Sequence, residues 1–490
     1  MRTAMLSADR YEMSCHSKRG NLVKFTLFLL YFFLAYIFIY FEWPGDRNIR
    51  FDASYYWRII NSLDINDLPK TFRGYLYPYI LFALKTFSQY IGIPTERLFI
   101  LVNAAAVSVL CVIFMPKIIY AGGADRCGVR AKRFILGSAS FFLLLLFFWE
   151  DHIVFPLSDF PALFCCAGMV YCLVSINESI SQNRICSANA LWLFFLALLA
   201  GGFAYASYNT RAVYIYGIVI SLIIWILKNR RKRVIFPIFL AMVLGGLLVS
   251  YPQMCVNFKY QKTYIPNVPT ENFPNTELKK WHLARGLMSA REETYVGNDP
   301  VQSARFRAAD KTGLAINKKE KISAGLTIGN LITLFCKYPL DITSIYSRHV
   351  INDMTIIYRK AYVTDLTVNT VWVVVPGIFL WLIFFYYLCL IDFTEYKTWI
   401  LDKAWIAAPF IIVCVLMIPA GAQVRFFMAA YCLMYGFLCY RADFMKIWNN
   451  FKRHPVLVMS LMMTVFLFWV SVISVTLSLN NDGAALFKYK

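Results

Sequence analysis

Eleven apolar runs, most of them about as long as a bilayer is thick, divide this chain, and the segments between them are mostly short. They fall at 25–41, 98–116, 134–149, 160–176, 188–206, 212–227, 234–252, 367–391, 404–419, 424–440 and 456–478. A helix needs roughly 20 apolar residues to cross the hydrocarbon core. In that solvent the backbone must satisfy its own hydrogen bonds, so such runs become helices. Only 16% of the 490 residues are charged and 59% are apolar, against about 25% charged in soluble domains. The expectation is an all-α polytopic membrane protein with about eleven transmembrane helices, interfacial helices and a large extracytoplasmic loop region.

Lys and Arg set the orientation. Five lie in 1–24, five in 117–133, five in 228–233 and four in 441–454. Segment 150–159 has none, and 207–211 and 419–425 hold one each, Arg211 and Arg425. Basic residues mark cytoplasmic loops, so the N-terminal tail 1–24 is expected inside. The run 75–91, "YLYPYILFALKTFSQYI", carries Pro78, Lys85 and Gln89. Counting it as a span would put two of the basic clusters outside, so it is read as an interfacial helix. The expected organisation is a transmembrane module over 25–252 with a first outer loop at 42–97. An extracytoplasmic region over 253–366, C-terminal spans over 367–478 and an extracytoplasmic tail at 479–490 complete it. Within 253–366, "YQKTYIPNVPTENFPN" reads as irregular and "ELKKWHLARGLMSAREE" as helical. The piece from Lys321 to Met354 reads as helices packed on the outer membrane surface.

The net charge of +21 could suggest nucleic acid. It sits in loops between spans, however, with no nucleic-acid-binding motif, and that partner is set aside. The thirteen cysteines lie mostly inside apolar runs, without a CxxC or Cys/His ligand spacing, and act there as small hydrophobes. The first apolar run lacks a small-residue cleavage site, so it reads as an anchor.

Two carboxylates stand on the outer side, each at the start of a helical run. Asp52 lies in "NIRFDASYYWRII" and Asp159 in "FPLSDFPAL". Each suits a helix N-cap. Converging, they would suit general base catalysis on a hydroxyl, or the binding of a cation or sugar hydroxyls. Arg211 in "SYNTRAVY" and Arg425 in "AQVRFFMAAY" fall at the same mouth. Each either snorkels to lipid phosphates, pairs with a loop acid or grips an anionic head group directly. Arg58 and Tyr55, beside Asp52, join His152, His349 and Asn352 as further candidate substrate contacts. No nucleophile elbow, P-loop or HExxH helix is present.

The order of these residues resembles the GT-C superfamily of integral-membrane glycosyltransferases. The likeness lies in an acid after the first span (Asp52), an acid in a P-x-S-D-like setting after the third (Asp159), an arginine after the fifth (Arg211) and a late R-F before a span (Arg425). Size and topology further resemble the bacterial serotype-converting glycosyltransferases that decorate O-antigen in lipopolysaccharide. The resemblance implies a sugar donor linked to undecaprenyl or another polyprenyl phosphate and a glycan or lipid-linked acceptor. It also implies a periplasmic site in the bacterial inner membrane. Asp52 would be the base of an inverting transfer and the two arginines would hold the donor phosphate. A common family form has two adjacent acids in the first loop. Here Asp52 stands alone, which leaves a divalent metal open. An O-antigen polymerase or ligase, or a transporter or flippase of lipid-linked sugars, would use similar outer-face charges.

Overall fold

The computed structural model describes residues 2–45, 49, 51–62, 74–121, 131–181, 187–268, 278–293, 305–322, 325–363, 370–391 and 393–478. Its elements are helices, with one two-stranded hairpin. Helices α1 (Arg2–Glu42), α2 (Phe51–Ser62), α3 (Leu76–Ile91) and α4 (Thr95–Val109) come first, and α4 runs through a π turn into α5 (Met115–Ala121). Next are α6 (Ala131–Val154), α7 (Asp159–Ser181), α8 (Ser187–Thr210), α9 (Tyr214–Asn229) and α10 (Ile235–Gln261). A compact insert follows: α11 (Leu278–Met288), β1 (Ser289–Glu293), β2 (Arg305–Ala309), α12 (Lys311–Glu320), α13 (Ile328–Lys337) and α14 (Pro339–Asp353). The chain closes with α15 (Val371–Cys389), α16 (Phe393–Met417), α17 (Met428–Gly436), α18 (Phe444–Arg453) and α19 (Pro455–Ser478).

Among the described residues, nine helices are long and apolar enough to cross a membrane, which makes this a multi-pass membrane fold by length and composition. Each coincides with one of the eleven expected spans. The other two fall on shorter elements. The run 212–227 is α9, only 16 residues long. The run 424–440 is composite, a 3-10 turn at Val424–Phe427, then α17, then a π turn at Phe437–Arg441. Every residue of α17 is buried, so its apolar character faces protein rather than lipid. Hydropathy alone does not separate those two environments. Two boundaries also differ from expectation. Helix α10 continues to Gln261 through Pro252, and the helix expected to reach Glu293 stops at Met288. Ser289–Glu293 instead pairs antiparallel with Arg305–Ala309. The tail 479–490 lies outside the described residues.

Contacts between helix ends fix their directions. Trp43, just beyond α1, packs on Phe99 at the start of α4 with ring centroids 5.6 Å apart. Asn103 Nδ2 donates to Ile153 O, 2.6 Å away at the end of α6. At the opposite end Lys117 pairs with Glu178, and Lys228 with Asp402 at 3.3 Å. Helices α8 and α10 meet backbone to backbone. A Cβ on Gly201 would stand 1.7 Å from Met242 O, and one on Gly245 2.0 Å from Leu198 O. Small residues permit this approach between helices in lipid.

Helix α3 starts and ends on the side of the bundle that carries Trp43 and Phe99. Its first turn has no side-chain cap of its own. Tyr75 N donates instead to Gln253 Oε1 (3.0 Å) and Leu76 N to Asn209 Oδ1 (2.8 Å). Asn209 Nδ2 also donates to Gln253 Oε1 (2.9 Å). The far end closes at Gly92, whose φ of 69° suits glycine. Ser88 Oγ then bonds Thr95 Oγ1 at 2.8 Å and turns the chain into α4. Asn209→Leu strands the Leu76 amide and is expected to cost about 1–3 kcal/mol, read as a lower melting point in detergent. An unchanged melting point would mean that the Asn209 amide does not hold α3.

The insert has its own small core, formed by Ala284, Leu287, Ile316, Leu334, Ile342 and Ile345. It meets α19 through Asn352 Nδ2 and Thr476 Oγ1, 3.3 Å apart.

Candidate functional site

Four sequence-distant segments meet on the side that carries Trp43 and Phe99. Asp52 lies in the first turn of α2, whose Ala53 N donates to Tyr362 Oη at 3.0 Å. Asp159 opens α7, with Ala162 N bonded to Ser158 O and Pro161 in the first turn, where its missing N–H costs nothing. Arg211 directly follows α8, its N bonded to Ser207 O. Ser207 Oγ reaches back to Ala162 O (2.9 Å) and brings that turn against the start of α7. Arg425 sits in the 3-10 turn that precedes α17.

The charges pair crosswise. Arg425 Nη1 donates to Asp52 Oδ2 at 3.3 Å, and Arg211 forms an ion pair with Asp159. Both guanidiniums also lie against one ring, with Arg211 Cζ 5.1 Å and Arg425 Cζ 5.5 Å from the centroid of Phe426. A ring between two cations offsets part of their mutual repulsion. Burial, followed by the nearby charge of Arg425, pushes Arg211 down to about 10. Exposure differs sharply within the set. Asp159 is 3% exposed, against 33% for Asp52. Asp52 is therefore the accessible acid of the set, and Asp159 is the buried acid paired with Arg211.

The other expected contacts divide into two groups. His152 is buried against Trp149, with ring centroids 5.3 Å apart, and lies within electrostatic reach of Arg425 and Arg211. Tyr55 belongs to an aromatic wall beside Asp52 that includes Tyr56, Trp57 and Tyr77. The side chain of Arg58 lies outside the described residues. His349 and Asn352 are not brought to the acid–arginine set. Both ring nitrogens of His349 are taken by backbone carbonyls, Nδ1 by Ile418 O at 2.7 Å and Nε2 by Ser289 O at 2.6 Å. Asn352 Nδ2 bonds Ala290 O (2.9 Å). These two residues brace the insert against the bundle.

Other participants carry no recognisable pattern. Gln423 Oε1 accepts from Arg425 Nε at 2.7 Å, while its amide nitrogen bonds Glu292. Glu292 in turn pairs with Arg285. Gln423 stands two residues before Arg425 and is a natural suspect only once that arginine is singled out. Glu292 and Arg285 lie in a stretch that reads as an ordinary charged helix. Among the described residues, no three His, Cys, Asp or Glu side chains gather as a metal site requires. Chemically, the set offers one accessible carboxylate beside two arginines, an arrangement able to take a proton from a hydroxyl next to a bound anion. Comparison with protein-family models, with curated proteins and with solved structures finds no match to this chain.

Proposed function

We propose that this protein is a membrane glycosyltransferase that moves a sugar from a polyprenyl-phosphate donor to a glycan or lipid-linked acceptor, with inversion. The observation that carries the reading is the meeting of Asp52, Asp159, Arg211 and Arg425 around Phe426. The donor phosphate competes with Asp52 for Arg425 and leaves the carboxylate free. Asp52 then takes the proton of the acceptor hydroxyl while its oxygen attacks the anomeric carbon. The bond from that carbon to the phosphate oxygen breaks, and the prenyl phosphate leaves. Arg425 and Arg211 stabilise the negative charge that builds on that oxygen. Asp159 keeps Arg211 in place. Lys24, Lys117, Arg133 and the 228–233 cluster lie at the opposite end of the bundle. The positive-inside bias makes that end cytoplasmic and this site extracytoplasmic, which in a bacterial inner membrane is periplasmic.

The test is turnover of purified protein with a polyprenyl-phosphate-linked sugar and an acceptor glycan. Cell-surface glycans with and without the gene identify the sugar and linkage. Loss of one charge-stabilising donor typically costs about 10²–10³ in rate, so Arg425→Ala is expected to fall in that range with a raised donor KM. Intact lipid-linked sugar crossing the vesicle membrane without bond cleavage would instead establish a transporter. Transfer of a whole glycan would establish a polymerase or ligase.

A further inference from the structure

We infer that Glu292 is a positioning residue for Arg425, acting through Gln423, so that strand β1 of the insert forms part of the anion site. The inference rests on the functional reading above for its ligand, but its geometry stands separately. Among the described residues, Arg425 makes two side-chain hydrogen bonds. One runs from Nη1 to Asp52, the group that a phosphate would displace. The other runs from Nε to Gln423 Oε1 at 2.7 Å, on the far side of the guanidinium plane's fork. The second bond survives when the first is broken, and it then sets the direction in which the guanidinium points.

Gln423 can hold that direction only if its own amide is fixed. Glu292 holds the amide with its carboxylate and the adjoining backbone with its own N–H. Its carboxylate accepts from the Gln423 amide nitrogen, and its backbone N donates to Ala422 O at 2.9 Å. Arg285 pairs with the same carboxylate and lies 4.4 Å over the ring of Trp281. A buried acid needs such partners, and Glu292 is only 4% exposed. The close fit of the two segments supports the relay. A Cβ on Gly286 would stand 2.1 Å from Pro419 O, and Gly421 turns the chain at a φ of 120° that favours glycine. The insert is thereby keyed onto the turn that carries Gln423 and Arg425.

A purely structural role would change stability without changing the aim of Arg425, so the test reads that aim directly. Three variants are compared with wild type: Gln423→Leu, Glu292→Ala and Glu292→Gln, the last keeping an acceptor for the Gln423 amide. The first readout is the rate at which phenylglyoxal modifies Arg425, followed by peptide mass. The second is the affinity for undecaprenyl phosphate in detergent, measured by calorimetry. Hydrogen bonds to charged groups are worth about 1.5–3 kcal/mol, so Gln423→Leu and Glu292→Ala should weaken lipid-phosphate binding by roughly tenfold or more. Both should also speed labelling of Arg425, and Glu292→Gln should restore most of each effect. Wild-type labelling rates in Gln423→Leu, or equal losses in both Glu292 variants, would overturn the inference. If wild type binds no lipid phosphate, the functional reading fails, and the labelling rates still decide whether Glu292 positions Arg425.

Discussion

Asp52→Asn is expected to lower sugar transfer by about 10²–10⁴-fold, the usual contribution of a positioned general base, while the protein remains folded. The choice of asparagine separates two roles for this side chain. At the start of α2 a carboxylate also favours the helix, by roughly 0.3–1 kcal/mol. Asparagine keeps the size and polarity of the side chain, so the variant loses the basic oxygen and at most that small helix contribution. The ion pair to Arg425 is a third exposed, and pairs of that kind contribute about 0–1 kcal/mol. The melting point should therefore shift by only a few degrees. Turnover of the prenyl-phosphate donor and melting in detergent are measured on the same preparation. Wild-type turnover per folded molecule would remove Asp52 from the chemistry. A drop in melting point with turnover retained would leave it as a helix-starting residue.

Much of this arrangement was legible in the sequence because membranes make charge expensive. Asp52, Asp159, Arg211 and Arg425 stand out in an apolar chain, and the basic loops assign all four to one side. The pairing was not legible. Nothing local says that Asp52 meets Arg425, 373 residues away, or that Asp159 meets Arg211. That depends on which helices pack together, and the deciding contacts are Ser207 on Ala162 O and Tyr362 on Ala53 N. The docking of α3 was hidden for the same reason. Asn209 and Gln253 lie just past the ends of apolar runs, where a lone amide gives no hint of its partner, yet they cap a helix from another part of the chain. The composite build of the segment around α17 was hidden as well. Its residues are as apolar as those of a span, but protein surrounds them. His349 and Asn352 looked like site residues because polar side chains stand out near apolar runs. Their hydrogen bonds go to backbone carbonyls and, for Asn352, also to Thr476 Oγ1, the kind of partner buried polar groups usually find.

The second large effect is expected at Asp159, and it falls on stability before it reaches chemistry. Removing one member of a buried ion pair leaves the other charge uncompensated and typically costs about 3–5 kcal/mol. Asp159→Asn does this to Arg211, whose side chain is 17% exposed and already lies close to the like charge of Arg425. The guanidinium cannot shed its proton to escape, so it must swing toward water or toward Asp52. Either movement abandons Phe426 and the place where a donor phosphate would sit. Arg211→Met should be milder, because a carboxylate left alone can neutralise itself by taking a proton. The double variant Asp159→Asn with Arg211→Met carries no buried charge at this position. It should recover most of the lost stability while still binding lipid phosphate poorly. The expected order of melting points is therefore wild type and the double variant above Arg211→Met, with Asp159→Asn lowest. If the two single variants melt together and the double variant melts lower still, Asp159 and Arg211 contribute separately and the pair does not anchor the site. If the double variant binds lipid phosphate as tightly as wild type, Arg211 makes no contact with the donor and Arg425 holds the phosphate alone.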